Sequence, residues 1–150
     1  MIYDTMWKST EMMARAIHRG VLERDVDARL LHVRASSITT LATEVLDAAG
    51  LAVGSPTLNQ TLMPAVAGAL TYLKGLKPAG KAAFAFGSHG WAARGAREVQ
   101  EYLKEMKLDI LREPLESQFV PDERMLEECR RAGHSLAQKA LQICEATATP

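Results

Sequence analysis

The sequence predicts one doubly wound α/β domain, a three-layer α/β/α sandwich whose five-stranded parallel sheet runs in the order 2-1-3-4-5. Two observations predict it. Short apolar runs of strand type alternate with amphipathic helix patterns along the 150 residues, an alternation that folds into an open parallel sheet covered by helices on both faces. The right-handed crossover rule then leaves few windings. In addition, the loops after the first, third and fourth runs hold clustered hydroxyls, glycines and both tryptophans. In that strand order these three strands are neighbours, and their carboxyl ends meet at the switch point where such sheets bind ligands.

The elements follow in order. Ile2-Tyr3 is a short apolar start, and after a polar loop Met13, Ala16, Ile17, Gly20 and Val21 recur on one face of a first helix. Arg29–Val33 reads as the second strand, and Ile38, Leu41, Val45 and Leu46 mark a shorter helix. Leu51–Gly54, bounded by Gly50 and Ser55-Pro56, has the unbroken apolar character of a buried parallel strand. A loop to Met63 leads to a third helix, with Pro64 in its first turn and Val66, Ala69, Leu70 and Leu73 inward; Gly75 and Pro78 are expected to end it. Ala82–Phe86 is the fourth strand, and Ala96, Val99, Leu103 and Met106 line the fourth helix. Asp109–Leu111 and Gln118–Val120, either side of Pro114, form an edge strand, where proline is tolerated. Asp122 caps a long last helix through Leu126, Cys129, Gly133, Leu136, Ala140 and Ile143. The domain is expected over residues 1–145, with a disordered tail over 146–150, where no apolar period continues.

Composition excludes several classes. Lys+Arg and Asp+Glu balance at 18 each, so no basic surface marks a nucleic-acid binder. No apolar run reaches the roughly 18–20 residues of a membrane span, and Asp4, Lys8 and Glu11 interrupt any signal peptide. The chain is read as cytoplasmic. Cys129 and Cys144 fall on one helix, roughly 22 Å apart at the helical rise, too far for a disulfide. They form no metal or redox motif.

The first loop, Thr5-Met6-Trp7-Lys8-Ser9-Thr10, offers hydroxyl donors beside the open N–H groups and positive dipole end of the first helix, a setting for a phosphate. The plain alternative is a Ser/Thr helix cap. No G-x-x-x-x-G-K-[ST] or G-x-G-x-x-G occurs, which argues against an NTP-hydrolysing loop and against a dinucleotide. Ser55-Pro56-Thr57 makes a stiff turn that presents backbone groups to the polar edge of a planar ring. Gly87 and Gly90 admit close approach. Trp7 and Trp91 either cover a flat aromatic system or cap the core. His89 has no carboxylate or thiol partner in these loops, which leaves it at a ring edge, where its charge would tune a redox potential. His18, His32 and His134 read as solvated or packing residues.

Four stretches, Tyr3–Glu11, Val53–Asn59, Tyr72–Pro78 and Ala85–Trp91, resemble the flavodoxin-like domain of flavodiiron proteins, also called A-type flavoproteins. The similarity runs from Ile2 to about Gln142. It implies a flavodoxin-like fold and FMN, with the phosphate in the loop formed by Thr5, Met6, Trp7, Lys8, Ser9 and Thr10. Ser55, Pro56, Thr57, Leu58 and Asn59 would then line the isoalloxazine, and Gly87, Ser88, His89, Gly90, Trp91 and Ala92 would close the site. In that family a metallo-β-lactamase-like di-iron domain precedes this one. Electrons from a rubredoxin or similar donor pass through FMN to irons that reduce oxygen or nitric oxide, across a head-to-tail dimer. The chain departs from the family in having Ala92-Ala93-Arg94 where a glycine-rich run usually follows Trp91, and in containing no di-iron domain. It opens almost inside its first strand, which suggests an excised C-terminal domain with an added Met.

The expected function is FMN-based electron relay, with no catalytic side chain and no metal site. The alternatives are a stand-alone flavodoxin-type carrier and an NAD(P)H-dependent flavin or quinone reductase. A phospho-acceptor receiver domain is discounted, because the first strand ends in a lone Asp4 and the third in Gly54-Ser55.

Overall fold

The computed structural model describes residues 1–148. One parallel sheet is built from β1 (Ile2–Tyr3), β2 (Leu31–His32), β3 (Gly50–Gly54), β6 (Ala82–His89), and an edge strand in two pieces, β7 (Asp109–Ile110) and β8 (Leu115–Gln118). Its order is β2-β1-β3-β6-β7, with β8 also on β6, which is the expected 2-1-3-4-5 winding. The edge strand breaks around Pro114, so β7 pairs with Ala82 and Ala83 while β8 pairs with Phe86 to His89. That second pairing carries β6 three residues beyond the expected Phe86, into the loop segment Gly87–His89. β2 is shorter than expected, because Val33–Ala35 turns into a 3-10 helix.

Both faces of the sheet are buried, and the two-residue strand period divides them. Leu51, Val53, Ala83 and Ala85 pack under α2 (Ile38–Asp47), α3 (Pro64–Leu76) and α4 (Gly95–Glu105). Tyr3, Ala52, Phe84 and Phe86 pack under α1 (Ser9–Leu22) and α5 (Glu123–Ala148). Inward residues of α1 and α3 are those the helical spacing selects: Met13, Ile17 and Val21 on one, Val66, Leu70 and Leu73 on the other. Gly54 makes room for Phe86, whose ring lies 2.3 Å from where a Cβ would stand.

Helix ends differ in detail from expectation. α3 runs through Gly75 and stops at Lys77, which takes the left-handed conformation at φ 52°. The C-terminal carbonyls of α2 are met by a side chain: Lys81 Nζ donates to Leu46 O at 2.8 Å and Ala48 O at 2.6 Å. Asp122 caps α5 as expected, accepting from Met125 N–H at 2.8 Å. That helix continues to Ala148, so 146–148 belong to it and not to a disordered tail; Thr149 and Pro150 lie outside the described residues. The helix carries on to Ala148 without an apolar stripe to announce it.

The two cysteines of α5 are both free, Cys129 buried and Cys144 exposed. Burial, reinforced by Glu128, pushes the Cys129 thiol up to about 12, so it stays protonated and unreactive. A thiol reagent at pH 8 is expected to modify one cysteine per folded chain, Cys144, and the second only after unfolding. Equal labelling rates at both would contradict that burial.

Candidate functional site

The loop after β1 arrives at α1 through Lys8, which is left-handed at φ 69° and makes no side-chain cap. The first helical bond runs from Met12 N–H to Lys8 O at 2.9 Å, so the N–H groups of Ser9, Thr10 and Glu11 have no partner within the helix. Thr10 cannot serve as the cap, because its hydroxyl is fully buried and bonded to Ser88 Oγ at 2.9 Å on β6. The Thr5 hydroxyl is buried and without a hydrogen-bond partner. A Ser/Thr cap is therefore not what these residues provide. They leave donors at the positive end of a helix.

The loop after β3 is a β-hairpin, β4 (Thr57–Leu58) and β5 (Thr61–Leu62), where the sequence reading expects a loop without naming its form. Asn59 and Gln60 form its two-residue turn with φ of 48° and 63°. The sequence held a signal for it, since Thr-Leu-Asn-Gln-Thr-Leu places two strand-type pairs around an Asn-x turn. Ser55, fully buried, ties the hairpin base by donating to Pro56 O at 2.9 Å and accepting from Met63 N–H at 2.8 Å. Thr57 turns its hydroxyl toward α4 and caps it, accepting from Arg94 N–H at 3.1 Å and Gly95 N–H at 2.9 Å. Glu98 of α4 reaches back to Leu62 N–H at 3.3 Å and to the Thr61 hydroxyl. Two of the expected ring contacts are thus the parts that lock the hairpin to its neighbours.

Between these loops opens a cavity of about 590 Å³, in the range of small-ligand sites. Of the expected residues, Met6, Trp7, Ser9, Pro56, Thr57, Asn59, Ser88, His89, Gly90, Trp91 and Ala92 line it. Thr5, Lys8, Thr10, Ser55, Leu58 and Gly87 stand outside the lining, in the framework behind it. Gln60, Phe119 and Val120 also line it and were not expected there. Phe119, at φ 60°, follows the end of β8 and sets its ring edge-on to Trp91 at 6.4 Å, while its N–H bonds His89 O at 2.8 Å. Trp7 and Trp91 are 88% and 96% exposed, so neither caps the core. His89, the one ionisable side chain among the described lining residues, has its Nδ1 3.2 Å from Gly90 O. The other histidines have structural partners: His18 with Ala28 O, His134 with Glu23, and His32 with Asp4.

A second cavity of about 420 Å³ lies at the opposite, amino end of the strands, where Asp27, Glu44 and Asp47 face Arg29 and the Met1 amino group. Carboxylates outnumber the cations there and helix C-termini point to it, which makes it the poorer site for an anion. The carboxyl-edge cavity, with free helix N–H groups at one side and apolar rings at the other, suits a phosphate joined to a planar ring system. The residues present fit FMN.

Fold and site together define a flavoprotein domain of the flavodoxin-like class, whose cofactor is FMN. The chain belongs to the flavodoxin family: the model for Flavodoxin matches residues 1–133. It is 36% identical to a nitric oxide reductase of Moorella thermoacetica, over 91% of this chain and 35% of that protein. It is 35% identical to the rubredoxin-oxygen oxidoreductase of Megalodesulfovibrio gigas, over 91% of this chain and 34% of that protein. The crystal structure of the flavodiiron protein from Giardia intestinalis superimposes with a TM-score of 0.93 at 35% identity, covering 97% of this chain and 36% of that one. The domain is thus related to flavodiiron proteins, and it spans about a third of the length of these relatives. Among the described residues no helix is long and apolar enough to cross a membrane.

Proposed function

We propose that this domain relays electrons through FMN held in the carboxyl-edge cavity, from a rubredoxin-like donor to a di-iron oxygen or nitric oxide reductase domain that is not in this chain. The donor and the acceptor follow from the likeness to a rubredoxin-oxygen oxidoreductase, a nitric oxide reductase and a flavodiiron protein, and the cytoplasm is the compartment we assign. The reading rests on one observation: a cavity of FMN size that sets uncapped helix N–H groups beside exposed aromatic rings and has one ionisable lining residue. When bound, FMN supplies one- and two-electron chemistry that no side chain here needs to perform. The residues of the chain do the rest. Ser9, Thr10 and Glu11 N–H groups hold the phosphate with the Thr5 hydroxyl behind them, Pro56, Thr57 and Asn59 hold the polar ring edge, and Trp7 and Trp91 exclude water from its faces. In the head-to-tail dimer of this proposal, the open mouth of the cavity faces the di-iron domain of a second subunit.

Among the described residues no carboxylate, amine or thiol lines the cavity beside His89, which favours a carrier over a reductase with its own substrate step. The purified chain, titrated with FMN, is expected to bind one equivalent, quench the flavin fluorescence and turn yellow on a desalting column. It should show no sustained NAD(P)H oxidation with quinones, and reduced rubredoxin should bleach the bound flavin in a stopped-flow mixing experiment. A chain that stays colourless after FMN addition overturns the assignment, and steady NAD(P)H turnover would replace the carrier with a reductase.

A further inference from the structure

Asp4 follows β1 directly, next to Thr5 at the start of the phosphate loop, and it is fully buried. Its Oδ1 accepts from Thr5 N–H at 2.7 Å and from Arg34 Nε at 2.9 Å, with His32 Nε2 at 3.2 Å. Its Oδ2 is buried and has no hydrogen-bond partner. Arg34 comes from the 3-10 turn after β2, and its Nη2 also donates to Thr5 O at 2.8 Å. A buried carboxylate is costly without a cation, and one placed directly behind an anion loop also repels the anion. The guanidinium answers both problems. It neutralises the carboxylate, and it holds the Thr5 carbonyl toward the β2 side. The peptide is trans, so the following Met6 N–H points the other way, away from the guanidinium.

We propose that Arg34 is a positioning residue for the flavin phosphate, acting through Asp4 and the Thr5–Met6 peptide. The inference rests on the FMN reading above and extends it to a residue outside the cavity lining. Arg34 cancels the Asp4 charge beneath the loop and fixes the direction of the loop's first donors. The phosphate end of the ligand depends on it; the ring end does not.

The test compares FMN with riboflavin, which keeps the ring and lacks the phosphate, by fluorescence titration of the full chain. Arg34→Met is expected to weaken FMN by about tenfold or more, the scale of one charge-assisted contact, while riboflavin affinity stays within about twofold. Arg34→Lys keeps the charge but not the two-pronged geometry, and should fall between wild type and Arg34→Met. It also carries the test if Arg34→Met does not fold, as judged by its thermal transition. Adding Asp4→Asn to Arg34→Met removes the uncompensated carboxylate and should recover part of the FMN affinity. Equal losses for both ligands, an unchanged FMN affinity, or a double variant no better than Arg34→Met would each overturn the proposal. Wild type that binds neither ligand would instead sink the FMN reading itself.

Discussion

Gly87→Ala is expected to abolish measurable FMN binding and to cost about 2–3 kcal/mol of stability, the upper part of the overpacking range. A Cβ on Gly87 would stand 1.9 Å from the Ser55 carbonyl oxygen and 3.0 Å from its carbon. Neither backbone can yield easily. Ser55 N–H is bonded to Phe86 O at 3.0 Å, and the Ser55 side chain is tied to Pro56 and Met63. On its other side Gly87 is registered against Glu116 of β8. Relief therefore requires the β4–β5 hairpin to move away from β6, and that movement separates the two walls of the cavity. Gly95 reinforces the point, since its Cβ would stand 2.5 Å from Pro56 O. Urea unfolding of the flavin-free protein and an FMN titration together measure the effect. A Gly87→Ala protein that matches wild type in both would show that the hairpin is free of β6.

The same substitution in the helices should change sign with position. At Gly133 a Cβ would meet Ile17 O at 2.2 Å, and at Gly20 one would meet Arg130 O at 2.0 Å, so α1 and α5 touch backbone to backbone. At Gly68, in α3, nothing lies within 4 Å. Alanine gains roughly 0.5–1 kcal/mol over glycine in a helix interior, so Gly68→Ala is expected to stabilise by that amount. Gly133→Ala gains the same propensity but must spread α1 from α5, and a net loss of about 2–3 kcal/mol is expected. Unfolding midpoints of the two variants, compared with wild type, should move in opposite directions. Two shifts of the same sign would mean that the α1–α5 contact adapts, or that α3 is not the open surface described.

The winding of the sheet and the two-sided core were legible in the sequence because burial imposes a period. Leu51 and Val53 face one way and Ala52 the other, and Met13, Ile17 and Val21 return to one helical face. The place of the carboxyl-edge cavity was legible for the same reason: once the strand order follows from the alternation, the first, third and fourth loops must meet. A loop has no period, so the direction of its side chains was not legible. Ser55, Thr57 and Thr10 carry the hydroxyls expected at a ligand, yet each spends them on a neighbouring element. Phe119 and Val120 reached the cavity through the register of β8 on the end of β6, a pairing that no local pattern encodes.

Arg34 shows the division most clearly. As a sequence position it is an arginine in a polar stretch after a weak strand, with nothing to attach it to a loop 29 residues earlier. By itself the sequence determined which segments become strands and helices and which edge of the sheet gathers the polar loops, because hydrophobic period and chain direction are local properties. Only the tertiary structure decided which donors stay free for a ligand and which charges are balanced beneath them. Hydrogen bonds and ion pairs across loops are settled by distances between parts of the chain that meet only when it folds.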